Sequence, residues 1–126
     1  MSWLWVACGG AIGATIRYAL SLVLAKPQNL FPWPTWWINL TGCLLAGIFF
    51  ALSQRYPVLQ QETRLFLMVG ILGGYTTFSS FGLETFLLLK QGQVWIALAY
   101  ALSSVVVGVI FLVLGFYLCH MLLQLK

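Results

Sequence analysis

The sequence has very few charged side chains. Of its 126 residues, two are acidic and six are basic, which makes 6 % charged residues against 62 % apolar ones. A soluble globule of this size needs much more polar surface than these residues supply. The composition therefore predicts a membrane protein.

Side chains that catalyse reactions or bind metals are equally scarce. The chain has one histidine and no aspartate, so no Ser-His-Asp set is available, and its two glutamates, Glu62 and Glu84, form no carboxylate pair. Cys8, Cys43 and Cys119 lie in apolar segments without metal-ligand or disulfide spacing. The basic residues are dispersed and form no stripe for nucleic acid. We expect neither an enzyme nor a nucleic-acid partner.

Four long apolar stretches run through the chain. They cover residues 3–25, 34–54, 63–89 and 94–123, and each is at or above the ~20 residues that a spanning helix needs. The connectors between them are short and contain proline or glycine. The pattern predicts an all-α membrane protein with four transmembrane helices in a single domain, residues 1–126.

The basic residues that flank these spans are almost balanced between the two sides of the membrane. Arg55, Arg64 and Lys126 lie on the side of the termini, and Lys26 and Lys90 lie on the other side. Orientation normally follows a Lys/Arg excess, which here is three minus two, or one charge. Two interpretations stay open: insertion in both orientations, which allows an antiparallel homodimer, or a single topology fixed by one charge.

The third span is unusual for a membrane helix. Residues 70–82 contain four glycines, two threonines and two serines. Glycine costs about 0.8–1 kcal/mol relative to alanine in a helix interior, and Ser and Thr offer the backbone competing hydrogen bonds. We predict a break or kink within residues 73–77, near the bilayer midplane, since Thr76 is the middle residue of the span. Non-helical backbone at that depth must be buried or line a pathway.

Close helix packing is the alternative use of these glycines. Gly70 and Gly74 form a small-xxx-small pair, as do Gly9 and Gly13 in the first span. We interpret Gly9 and Gly13 as packing residues. For the third span we favour a functional role, because packing does not explain the neighbouring hydroxyl residues.

Several uncharged residues at membrane depth have the chemistry to bind an anion. Tyr100, Ser104 and Gly108 recur every four residues and share one helix face. Phe78 and Phe81 share a face if helix resumes after the break, and the edge of an aromatic ring is positive. Both sets of residues predict an anion path without a full positive charge.

Arg17 and Glu84 are the ionisable residues deep within predicted spans, and such residues usually mark function or pair with a polar group. We expect Arg17 to reach the interface or to orient Asn39. We expect Glu84 to form structural hydrogen bonds, and the alternative is proton coupling in a transporter.

Residues 9–18, 35–42 and 70–84 together resemble the Fluc (CrcB) family of bacterial fluoride channels. This resemblance implies a dual-topology antiparallel homodimer with two pores. It also implies a structural Na⁺ ion at the dimer centre, held by main-chain carbonyls of Gly73 and Thr76.

The resemblance further implies roles for individual side chains. Phe78 and Phe81 would contact fluoride, and Asn39 would donate a hydrogen bond in the pathway. Hydroxyl groups would form a polar track, and the residues concerned are Ser79, Ser80, Tyr100 and Ser104. Glu84 matches a glutamate near a pore mouth. Two residues depart from the family pattern: Gly108 replaces a frequent serine, and Tyr75 replaces a smaller aliphatic residue.

These features together predict a fluoride-selective channel that exports cytoplasmic fluoride passively. We expect a multi-pass protein of the bacterial inner membrane, in contact with lipid and with Na⁺ as its sole cofactor. Two other functions are compatible with the sequence. One is a proton-coupled exporter of the small multidrug resistance type, and the other is a membrane assembly subunit that transports nothing.

Overall fold

The computed structural model describes residues 1–126, and every regular element in it is helical. The first two spans are helix α1, Ser2–Leu24, and helix α2, Trp33–Arg55. The third span, Glu62–Lys90, consists of helix α3, residues 62–75, and helix α4, Phe78–Lys90. The fourth span is helix α5, Val94–Gln124. All four spans are long and apolar enough to cross a membrane, which confirms an all-α, multi-pass chain.

Local sequence explains where several helices begin and end. Pro34 lies in the first turn of α2, where the missing N–H of proline costs no helical hydrogen bond. A short 3₁₀ turn, Pro57–Leu59, connects α2 to α3. Gly92 has a φ of 78° and reverses the chain between α4 and α5, a conformation that glycine adopts without strain.

The helices pack in two pairs, α1 with α3 and α2 with α5. At Gly13 of α1, an added Cβ would collide with the carbonyl oxygen of Ile71 in α3. At Gly9, it would collide with the carbonyl oxygen of Phe66. The interpretation of Gly9 and Gly13 as packing residues is therefore confirmed.

The glycines of α3 lie on the same contact between α1 and α3. An added Cβ on Gly70 would lie 2.9 Å from the Gly9 Cα, and one on Gly74 would lie 2.5 Å from the Gly10 carbonyl oxygen. Both distances are too short for real atoms, so these glycines bring the two backbones together. Packing thus accounts for Gly70 and Gly74, while the hydroxyl residues that follow them have a different structural role.

The backbone of the third span leaves helical geometry at two residues. Helix α3 combines an α-helical turn, Glu62–Arg64, with a π-helical stretch, Leu65–Leu72, and a final turn, Gly73–Tyr75. Thr76 follows with φ −83° and ψ 155°, and Thr77 with φ −147° and ψ 125°. We call Thr76–Thr77 the extended segment. It lies at the middle of the Glu62–Lys90 span.

The interior of the single chain is small. Only 17 of 126 residues are buried, and the main apolar cluster joins Leu88 of α4 to Ala97 and Tyr100 of α5. Many large apolar side chains of α1, α4 and α5 are exposed. Such surface is stable only against lipid or against another protein.

Candidate functional site

The extended segment is bound to α2 through Asn39. The Thr77 N–H donates to Asn39 Oδ1 at 2.9 Å, and Asn39 Nδ2 donates to the Thr77 carbonyl oxygen at 3.1 Å. One carboxamide thus satisfies both backbone groups of a residue that has left the helical hydrogen-bond pattern. This is how non-helical backbone is kept stable at membrane depth.

The end of α3 leaves carbonyl oxygens without helical partners. Because the Thr77 N–H donates to Asn39, it does not serve the Gly73 carbonyl, which it would reach in a continuous helix. The next carbonyl, that of Gly74, accepts from Arg17 Nε at 3.1 Å. Arg17 therefore satisfies the backbone of α3, and the structure does not place it on Asn39.

Helix α4 begins directly after the extended segment. Its N-cap is Thr77, whose Oγ1 accepts from the Ser80 N–H at 3.3 Å. The first turn of α4 contains Phe78, Ser79 and Ser80, and a helix N-terminus carries a partial positive charge. The C-terminus of α3 carries a partial negative charge, and only Thr76 and Thr77 separate it from the N-terminus of α4. Groups of opposite polarity are thus adjacent at the middle of the span.

A groove of about 400 Å³ adjoins the extended segment. Its lining includes most of the residues that the sequence predicts for ions: Asn39, Gly73, Thr76, Phe78, Phe81 and Ser104. Ser104 Oγ is buried and has no hydrogen-bond partner. Phe78 is 83 % exposed, so in the isolated chain the groove is open on the side of this ring.

The two phenylalanine rings lie together beside the groove. Their centroids are 5.6 Å apart and their planes are inclined by 40°. The Phe81 ring also packs on Tyr100, with centroids 5.1 Å apart. Phe81 is therefore held by α5, whereas Phe78 projects from the chain.

A second cavity, of about 320 Å³, also adjoins Thr77. We call it the polar cavity. It is lined by residues of α1, α2 and the third span: Arg17, Tyr18, Ser21, Thr35, Ile38, Thr77, Ser80 and Glu84. Thr77 lines both the groove and the polar cavity.

Glu84 is held by two hydrogen bonds. Thr35 Oγ1 donates to Oε1 at 2.7 Å, and the Tyr100 hydroxyl donates to Oε2 at 2.6 Å. Sequence reasoning did not identify Thr35 as a site residue. It lies one helical turn before Asn39 on α2, and this four-residue spacing is the signal that would have indicated it.

The structure thus divides the predicted site residues into groups. Six line the groove, and Arg17, Ser80 and Glu84 line the polar cavity. Ser79 and Tyr100 line neither: Ser79 Oγ lies 3.4 Å from Thr77 Oγ1, and Tyr100 is fully buried behind Glu84. No group of three or more His, Cys, Asp or Glu side chains is placed to hold a metal ion.

Comparison with known proteins shows which family the chain belongs to. The family model described as "CrcB-like protein, Camphor Resistance (CrcB)" matches residues 4–116. A protein of Methylobacillus flagellatus named "Fluoride-specific ion channel FluC" is 46 % identical over 121 residues, 94 % of this chain and 94 % of its own. Proteins of the same name from Nitrobacter winogradskyi and Salinibacter ruber are 47 % and 44 % identical, over 91 % and 89 % of this chain and 94 % and 84 % of their own. The resemblance inferred from the sequence is confirmed, and the chain belongs to the CrcB family.

Proposed function

We propose that this chain is a fluoride channel, like the relatives named for that activity. The observation that carries the proposal is the position of the extended segment. It brings a helix N-terminus, two phenylalanine rings and the unpartnered Ser104 hydroxyl to one groove at the middle of a span. The family is one of channels, so the prediction that the chain is not an enzyme is confirmed.

The groove suits a small anion that must bind and leave quickly. Its donors are uncharged: the positive end of α4, ring edges of Phe78 and Phe81, and the Ser104 hydroxyl. Such donors replace the water around the anion without binding it as tightly as a full positive charge would. Asn39 also lines the groove, and its second amide hydrogen is free to donate to a passing ion. The remaining hydroxyls of the proposed polar track are Ser79, Ser80 and Tyr100.

The proposal includes a second copy of the chain. Phe78 is 83 % exposed at membrane depth, and the groove that it borders is open. A second chain related by a two-fold axis in the membrane plane would close the groove and produce two equivalent pores. The near-balance of flanking basic residues favours insertion in both orientations, which this antiparallel homodimer requires.

A sodium ion at the centre of this dimer fits the backbone. The Gly73 carbonyl has lost its helical donor, and the Thr76 carbonyl belongs to an extended residue beside the same groove. Both oxygens are hard ligands near the negative end of α3, which suits a small cation. The ion would fix the two copies to each other and balance the carbonyl dipoles.

The proposed direction of transport is passive efflux across the bacterial plasma membrane. Fluoride enters cells as its neutral acid and ionises inside, so an open channel lets the anion leave down its electrochemical gradient. A proton-coupled exporter is less well supported, because both oxygens of Glu84 accept hydrogen bonds from neighbouring side chains. An assembly subunit without transport activity gives no reason for the buried Ser104 hydroxyl to lack a hydrogen-bond partner, whereas a channel would use that hydroxyl as a donor to the anion.

The experiment is ion efflux from liposomes that contain the purified chain. A fluoride electrode should record rapid efflux in the presence of a potassium ionophore, and a chloride electrode should record none. Equal loss of both anions would contradict selectivity. Loss of neither would favour the assembly subunit, and fluoride efflux that requires a proton gradient would favour coupled export.

A further inference from the structure

Tyr75 connects the end of α3 to α2. It is the last helical residue before the extended segment, and its side chain is buried, with 8 % exposed. Its hydroxyl lies 2.7 Å from Thr41 Oγ1. The Thr41 hydroxyl also donates to the carbonyl oxygens of Trp37 and Ile38, at 2.8 and 3.0 Å. Because a hydroxyl has one hydrogen, which these carbonyls take, Tyr75 is the donor to Thr41.

The two residues after Tyr75 also contact α2. The Thr76 Cγ2 methyl occupies the space that a Cβ on Gly42 would need, while the Thr76 hydroxyl donates to the Leu72 carbonyl oxygen of α3 at 2.9 Å. Thr77 is held by both amide atoms of Asn39. Three successive residues of the third span thus contact the stretch of α2 from residue 39 to residue 42. So many contacts fix the position and rotation of the extended backbone.

We propose that Tyr75 is a positioning residue for the cation site formed by the Gly73 and Thr76 carbonyls. This inference rests on the proposed function. Gly73 is two residues before Tyr75 and Thr76 is one residue after it, so a rotation of this turn moves both carbonyl oxygens. The Tyr75 hydroxyl restrains that rotation through Thr41. The sequence alone marks Tyr75 only as a departure from smaller aliphatic residues, whereas the structure assigns its hydroxyl a partner.

Three variants and one control test this role. Tyr75→Phe and Thr41→Val each remove the hydrogen bond between the two side chains, so the double variant loses no further bond between α2 and α3. Thr41→Val also removes the bonds from Thr41 to two carbonyls of its own helix. Tyr117→Phe is the matched control, because Tyr117 lies on α5 with 57 % of its surface exposed. Fluoride efflux from liposomes is measured over a series of sodium concentrations, with potassium as the replacement cation. The sodium-dependent rise in thermal unfolding midpoint is measured in detergent, independently of transport.

We expect Tyr75→Phe to raise the sodium concentration for half-maximal efflux about threefold, the factor that the ~0.6 kcal/mol of an average membrane hydrogen bond gives. Efflux at saturating sodium should equal that of the unmodified chain. A correspondingly higher sodium concentration than for the unmodified chain should be needed to raise the thermal unfolding midpoint of this variant. The double variant should shift no further than either single one, and Tyr117→Phe should not shift.

A merely structural role would lower efflux equally at all sodium concentrations, with an unchanged half-maximal sodium concentration, and that result would overturn the proposal. Failure of the proposed channel function or of the cation site would give different results in the same measurements. If the unmodified chain passes no fluoride, the channel function is wrong. If it passes fluoride without any effect of sodium on efflux or unfolding, the cation site is wrong, and the role of Tyr75 with it.

Discussion

Asn39 and Thr77 are joined by two hydrogen bonds that run in opposite directions between one side chain and one backbone residue. The carboxamide takes the place of the helical partners that Thr77 lacks. The same side chain lines the groove. Asn39 therefore links the stability of the extended segment to the surface along which an anion would pass.

Replacement of Asn39 by alanine should lower fluoride efflux about eightfold, because two membrane hydrogen bonds of roughly 0.6 kcal/mol each would be lost. Liposome efflux per folded protein, with folding checked by size-exclusion elution, measures the effect. Asn29→Ala is the control, since Asn29 lies in the exposed connector between α1 and α2. Efflux of the Asn39 variant at the level of the Asn29 variant would contradict the role of this side chain.

Phe78→Met tests whether ring edges contribute to passage. Methionine keeps most of the apolar volume but has no positive ring edge, and aromatic contacts contribute ~0.5–1.5 kcal/mol. We expect fluoride efflux to fall about two- to tenfold. Phe86→Met is the matched control, because Phe86 is on the same helix with 58 % of its surface exposed. Equal efflux from the two variants would argue against a contact between fluoride and the Phe78 ring.

The close approach of α1 and α3 predicts a strong dependence on Gly13. A methyl group there would meet the backbone oxygen of Ile71, which cannot move without the whole helix, whereas at Gly10 no atom lies within 4 Å of an added Cβ. Gly13→Ala should lower stability by about 1–3 kcal/mol, the usual cost of overpacking. Thermal unfolding in detergent should show this loss, with Gly10→Ala close to the unmodified chain. Equal midpoints for the two variants would be evidence against the observed α1–α3 contact.

The sequence predicts the helical spans because hydrophobic length is a local property. Predicted span 34–54 corresponds to Trp33–Arg55, and predicted span 94–123 to Val94–Gln124. Within 73–77, the predicted location of a break, the residues that leave helical geometry are Thr76 and Thr77. Gly73 and Gly74 just before them remain helical, and Gly74 packs against the backbone of α1 at Gly10.

Contacts between spans could not be predicted in the same way. The bond from Tyr75 to Thr41 and the contact of Thr76 with Gly42 depend on how far α2 and α3 are displaced along each other. Hydrophobic periodicity does not determine that displacement. The bond from Thr35 to Glu84 was missed for the same reason. Arg17 was predicted to reach the interface or to orient Asn39, but it donates to the Gly74 carbonyl. That carbonyl is available because the helix ends just after it.

The proposed dual topology can be tested by shifting the balance of flanking charges. Four added lysines, Gln28→Lys, Asn29→Lys, Gln91→Lys and Gln93→Lys, change the count from three against two to three against six, and Gln61→Lys with Thr63→Lys changes it to five against two. Each variant then has an excess of three charges and should force one orientation, because orientation follows the Lys/Arg excess. Fluoride resistance of a sensitive strain should be lost with either variant alone and restored when both are expressed together, since only together do they supply antiparallel partners.

The matched control adds one lysine to each side, Gln91→Lys with Gln61→Lys, which leaves the difference at one charge and should retain resistance. Full resistance from either biased variant alone would show that a single orientation suffices and would contradict the antiparallel dimer.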